Sequence, residues 1–215
     1  LTESQKNASY ALDSFFQGGK GCFILKGYAG TGKTTLLHGI TKYLNHNHTN
    51  YMVMAPTGRA AKVISDKIKD SDAFTIHKSI YAMDDLKESK STDKDGSETF
   101  KYYFDLHDND SPMDTVYIVD ESSMISNKKS EGEFFRFGSG LLLNDLMDYI
   151  YTRDPNSTRK ILFIGDNAQL PPVNMNFSPA LDREYVKKHF DCQIDEYEMT
   201  DVVRQETDSG ILENA

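Results

Sequence analysis

The run Gly27-Tyr28-Ala29-Gly30-Thr31-Gly32-Lys33-Thr34 satisfies the phosphate-loop spacing G-x-x-x-x-G-K-[ST]. The chemistry follows from the residue types. Glycines let backbone N–H groups turn inward around phosphate oxygens, Lys33 supplies a point charge that can reach the β and γ oxygens, and the Thr34 hydroxyl can complete a Mg²⁺ shell. Gly27, Ala29, Gly30, Thr31, Gly32, Lys33, Thr34 and Thr35 are therefore the expected contacts of a nucleoside triphosphate, with Thr34 a metal ligand. The acidic pair Asp120-Glu121 closes an apolar run and offers the complementary half: Asp120 to hold Mg²⁺, usually through water, and Glu121 to polarise an attacking water as general base. Alone, such a pair is a solvated strand end. Beside a phosphate loop on a neighbouring strand it becomes catalytic machinery. In Gly165-Asp166-Asn167-Ala168-Gln169-Leu170-Pro171-Pro172-Val173, Gln169 can hydrogen-bond a γ-phosphate or its water, and the Pro-Pro pair stiffens the loop that carries it.

These groups need elements to hold them. Cys22 to Lys26 is a short β-prone run ahead of the glycine loop, and Leu36, Leu37, Ile40 and Leu44 form one helical stripe after it. A strand feeding a glycine loop that opens a helix places the loop amides and the positive helix end at the anion. Further along, 51–55 reads as a strand, 58–68 as a helix, 75–83 as short helical or irregular, 115–119 and 160–164 as buried strands, 141–152 and 179–190 as helices, and 194–199 as a last strand. The segment 126–140 reads as loop, and Phe134-Phe-Arg-Phe137 within it carries no motif. Alternating strands and helices predict an α/β fold, a mainly parallel sheet with helices on both faces and the phosphate loop at a carboxyl edge.

Between Asp84 and Asp114 ten acidic residues stand against four lysines, and only 100–106 has strand character. This reads as an inserted acidic hairpin or loop, dividing the chain into a main domain of 1–83 and 115–215 and an insertion of 84–114. The overall net charge of −9 disfavours nucleic acid on average, yet most of it resides in that insertion, so a local basic track remains compatible. Two isolated cysteines suggest neither zinc nor a disulfide framework and fit a reducing cytoplasm. No apolar run reaches membrane-spanning length. The chain opens at Leu1 rather than Met, as expected of a piece of a longer protein.

Six segments occur in a telling order: the phosphate loop, Ala55-Pro-Thr-Gly-Arg-Ala-Ala61, Thr75-Ile-His77, Asp120-Glu-Ser-Ser-Met124, Gly165-Asp-Asn-Ala-Gln-Leu170 and Val203-Arg204-Gln205. Together they resemble the motifs of superfamily 1 DNA helicases, in particular the RecD-like and Dda-like branch. The resemblance implies a RecA-like motor domain that uses ATP and Mg²⁺ to move 5′ to 3′ on single-stranded DNA. It implies that Gln5 reads the adenine edge, although Thr2-Glu-Ser-Gln5 is equally a helix capping box. Pro56, Thr57, Arg59, Thr75 and His77 would line the strand track, His77 being equally a packed or capping histidine. Arg204 would reach the γ-phosphate. Phe100, Tyr102, Tyr103 and Phe104 could supply a wedge that parts a duplex or simply the glue of the hairpin. A second RecA-like domain bearing an arginine finger is the expected partner, and an ATP-driven binding switch is the rival reading.

Overall fold

The computed structural model describes residues 1–19, 21–68, 71–92, 98–130, 135–152 and 157–201. Six strands build one sheet in the order β3-β2-β6-β8-β1-β9: β1 (Gly21–Gly27), β2 (Tyr51–Ala55), β3 (Ala73–Thr75), β6 (Val116–Val119), β8 (Lys160–Gly165) and β9 (Gln193–Met199). Every pairing in it is parallel. Parallel strands need both faces covered, and the side chains alternate accordingly. Phe23, Leu25, Val53, Ile118, Leu162 and Ile164 pack beneath α1 (Glu3–Gln17), α2 (Lys33–His46) and α3 (Gly58–Ile68). Cys22, Ile24, Met54, Tyr117, Val119, Ile161 and Phe163 pack on the other face with α4 (Ile76–Ile80), α5 (Leu142–Met147) and α6 (Arg183–His189). The expected architecture is the one observed.

Several element boundaries differ from the sequence expectation. The segment 75–83, expected to be short helix or irregular, divides into the end of edge strand β3, helix α4 and the start of β4 (Tyr81–Thr92). That strand pairs antiparallel with β5 (Glu98–Leu106), so strand pairing begins before the acidic stretch and occupies far more of it than 100–106. Cross-strand pairing overrides the poor β-propensity of the Asp, Lys and Ser residues in β4. The supposed loop 126–140 contains β7 (Phe135–Phe137), which joins β5 in parallel register, Tyr102 opposite Phe135 and Phe104 opposite Phe137. The two later helices are also shorter than expected. After Met147 the chain widens into a π turn over Asp148–Thr152, and Pro179–Leu181 is a separate 3₁₀ turn ahead of α6. Among the described residues no helix is long and apolar enough to cross a membrane.

Candidate nucleotide and strand sites

The loop after β1 closes on itself through Thr31. Its buried hydroxyl donates to Tyr28 O at 2.8 Å and its N–H to the same carbonyl. A Cβ on Gly27 would lie 2.6 Å from Thr31 Oγ1, so only glycine fits at that position. Gly30 and Gly32 sit at φ +83° and +85°, the left-handed region that side chains disfavour, and Gly32 caps α2. Lys33 opens the helix and its Nζ donates to Gly27 O and Tyr28 O at 2.6 and 3.0 Å, with Asp166 Oδ2 at 3.9 Å. Gln5 serves the capping reading: its amide oxygen accepts from Thr2 N, its backbone N–H donates to Thr2 Oγ1, and its amide nitrogen donates to Thr31 O at 3.1 Å. Gln5 thereby straps α1 to the phosphate loop.

Thr34, Asp120, Glu121 and Gln169 line one cleft of about 430 Å³ together with Thr57, Arg59 and Lys67. β6 delivers Asp120 between β2 and β8, where burial leaves it 8% exposed and pushes its carboxyl up to about 6. The Glu121 N–H, donating to Asp120 Oδ1 at 2.9 Å, and the charges of Lys33 and Lys67 moderate that shift. Glu121 itself stands at φ +53°, a conformation uncommon for a side chain of its size and of the kind that concentrates at functional sites. Gln169 is exposed at the cleft, and Ser123 Oγ donates to its amide oxygen at 2.9 Å, which leaves its amide N–H groups as donors.

The loop holding Gln169 depends on a residue the motif reading left without a role. Asp166 is buried, accepts from Ala168 N at 2.8 Å through its carboxylate, and faces Lys33. Its position directly after a buried strand was the available signal. Gly165 is required by packing, since a Cβ there would lie 2.6 Å from Leu181 Cδ1 and 3.1 Å from Ser123 N.

The expected track residues meet at the carboxyl ends of β2 and β3. Ala55 pairs with Thr75, and the Cβ direction of Gly58 points at Thr75 Cγ2, so Pro56 to Arg59 and Thr75 are neighbours. Both threonines cap helices, Thr57 Oγ1 accepting from Ala60 N and Thr75 Oγ1 from Lys78 N. Arg59 is exposed at the cleft. His77 is half-buried against Tyr81 and edge-on to Phe137, and burial holds its pKa below the usual value, with Asp145 pulling the other way. Arg204 lies outside the described residues, as do Val203, Gln205 and Phe134. Tyr102 and Phe104 face Phe135 and Phe137 across the small sheet, with Phe104 near-parallel to both. Tyr103 occupies the opposite face beneath Arg136.

Against known proteins, residues 1–134 match the AAA domain family. The chain belongs to that family. It is 30% identical over 186 residues to the uncharacterized protein R530 of Acanthamoeba polyphaga mimivirus, covering 80% of this chain and 33% of that protein. It is 40% identical over 78 residues to the ATP-dependent DNA helicase dda of Enterobacteria phage T4, covering 36% of this chain and 18% of that one. The crystal structure of Pif1 helicase from Candida albicans superposes with a TM-score of 0.55 at 21% identity, over 95% of this chain and 41% of Pif1, a likeness of fold. The AAA-family chain thus has a superfamily 1-like motor-domain fold, an ATP-binding architecture related to Dda and Pif1. It spans about a third of the length of the mimivirus relative.

Proposed function

We propose that this domain binds Mg²⁺ and ATP, hydrolyses the γ-phosphate bond, and serves as the first RecA-like motor of a translocase moving 5′ to 3′ on single-stranded DNA. The observation that carries this reading is the convergence of Thr34, Asp120, Glu121 and Gln169, contributed by three different strand ends, on one cleft. A hydroxyl and a carboxylate suit Mg²⁺, which takes one or two protein oxygens and completes its shell with water and phosphate. Thr34 and Asp120 would hold that ion, which when bound neutralises charge developing on the phosphates. Lys33 places a positive charge on the β and γ oxygens. Glu121 accepts a proton from the attacking water, and Gln169, its amide oriented by Ser123, positions that water against the γ-phosphate. Arg204 adds charge at the γ-phosphate, and Gln5 contacts the adenine from the helix end that it also caps.

The strand would pass over the carboxyl ends of β2 and β3, touching Pro56, Thr57, Arg59, Thr75 and His77. Residues 84–114 would act as a hairpin subdomain of the motor, and a second RecA-like domain would close the cleft. The phage relative is named an ATP-dependent DNA helicase and supports the choice of DNA. ATPase assays of the full-length protein with and without oligodeoxynucleotide test the proposal. Stimulation by single-stranded DNA is expected; nucleotide binding with a DNA-independent, negligible turnover would identify a binding switch instead.

A further inference from the structure

The start of α1 is capped twice, and only one of the caps is local. Thr2 Oγ1 accepts from Gln5 N, the third amide of the helix, within the box Thr2-Glu-Ser-Gln5. The second amide, Ser4 N, donates at 3.0 Å to Asp201 Oδ2, 197 positions away. Thr200 N donates in return to Ser4 Oγ at 3.2 Å. A helix N-terminus leaves its first amides without intrahelical partners and favours a negative charge, so a carboxylate there answers both needs. Ser4 is buried, which shields this pair of bonds from water.

The joint stands beside the phosphate loop. β9 runs parallel to β1 with Met199 opposite Gly27, the first residue of the loop, and a Cβ on Gly27 would lie 3.3 Å from Met199 Cβ. Gln5, next to Ser4, holds Thr31 O at 3.1 Å. The end of β9, the start of α1 and the phosphate loop therefore meet at one place. Arg204 follows Asp201 by three positions, and three residues span at most about 10 to 11 Å even when fully extended. Holding Asp201 thus fixes the point from which the chain to Arg204 departs.

We infer that Asp201 is a positioning residue for hydrolysis: by holding the N-terminus of α1 it registers the chain that carries Arg204 against the phosphate loop. β9 is the outer strand of the sheet and pairs with β1 on one side, so the bonds to Ser4 give its end a second attachment. A charge misplaced by about 1 Å can cost on the order of a hundredfold in rate. The loop itself is tied by other bonds. Gln5 to Thr31 and Thr31 to Tyr28 do not pass through Asp201, so the hold on the α and β phosphates is independent of it.

This inference rests on the proposed role of Arg204 at the γ-phosphate, and a double-mutant cycle in the full-length protein, read as DNA-stimulated kcat, separates the two. Arg204→Ala should lower turnover; if it does not, that role fails and the inference falls with it. With Arg204 in place, Asp201→Ala should lower kcat about ten- to a hundredfold, while ADP, which has no γ-phosphate, binds with native affinity by calorimetry. Asp201→Asn keeps an acceptor for Ser4 N and should recover most of the loss. In the Arg204→Ala background, Asp201→Ala should cost no more than about a further twofold, because the residue through which it acts is gone. A cap with a purely structural role would lower the melting temperature and act equally in both backgrounds. Native turnover in Asp201→Ala, a loss in Asp201→Asn as large as in Asp201→Ala, full additivity with Arg204→Ala, or a fall in ADP affinity matching the fall in kcat would each overturn the inference.

Discussion

The two sides of the central sheet are built by different means. On the side of α1, α2 and α3, the phosphate loop comes from a contiguous segment: β1, the loop and α2 form one unbroken run, and Thr2 to Gln5 caps the helix that straps it. On the side of α4 and the hairpin, the joints are between residues far apart in the chain. Tyr81 O–H donates to Asp145 Oδ2 at 2.7 Å across 64 positions, and β7 reaches back to pair with β5. Local runs dictate where a phosphate can be held. Long-range joints dictate where the hairpin stands relative to it.

The contrast predicts its own largest break. Glu121→Gln and Lys33→Ala alter the local machinery alone, so in the full-length protein each should reduce DNA-stimulated hydrolysis by about a hundredfold or more, the usual contribution of a positioned base or charge. Melting should change little. The pair should separate in binding, because Glu121→Gln keeps the phosphate contacts and Lys33→Ala removes one. Calorimetry showing equal ATP affinity in the two variants would sink the role division.

The contrast also explains what could be read from the residues alone. The phosphate loop, Asp120-Glu121 and the Gln169 loop were legible because a short spacing carries the chemistry and an apolar strand precedes each. Asp166 escaped notice because its value lies in a fold-dependent approach to Lys33. So did the left-handed Glu121, which no residue type announces. Phe135 to Phe137 had no readable role, since three residues gain strand character only by pairing with β5 some thirty positions earlier. β4 was missed for the same reason, its polar residues making poor strand formers until β5 lies alongside.

Asp145 is where the long-range side should fail. The carboxylate is 2% exposed and accepts from Tyr81 O–H, Ser139 O–H and Ser139 N–H. Asp145→Asn places amide hydrogens against donors, and losing charge-assisted bonds in a buried site costs about 2 to 3 kcal/mol. A lower melting temperature and faster proteolysis at the hairpin are expected, with ADP affinity retained. If ADP affinity falls in parallel with stability, the two sides are not separable.

Asp120 offers a break of opposite sign on the local side. Its carboxyl is raised from 3.8 to about 6 by burial, so the folded state binds the proton more tightly than the unfolded chain does. Stability from this group is fullest below about pH 4 and is lost as pH rises through 6, a difference on the order of 3 kcal/mol. Asp120→Asn should therefore melt higher than the native protein at pH 8 and converge with it in acid. The same substitution should weaken Mg²⁺-dependent nucleotide binding at every pH. A variant less stable than native at pH 8 would show that the buried carboxylate is better compensated than its surroundings imply.

The smallest effect concerns Phe135, the ring at the open end of the hairpin stack. It is 49% exposed, near-parallel to Phe104 at 6.4 Å and tilted against Tyr102 at 5.9 Å, while Phe104 leans on Phe137 and Phe137 on Tyr81 and His77. This column runs from the buried base of the hairpin outward, so Tyr102 and Phe104 already have partners as packing rings. Removing Phe135 deletes only the outermost contacts, worth about 0.5 to 1.5 kcal/mol. Phe135→Ala should then raise protease sensitivity between 84 and 114 modestly and leave DNA-stimulated hydrolysis unchanged, because none of the ring contacts of the column among the described residues is made with a residue of the nucleotide cleft. Strand separation per ATP should hold as well, if the ring only steadies its neighbours. A clear fall in unwinding in a variant whose proteolysis and ATPase match the native protein would make Phe135 a wedge that meets the bases directly, and would show that this side, too, can concentrate its chemistry in one side chain.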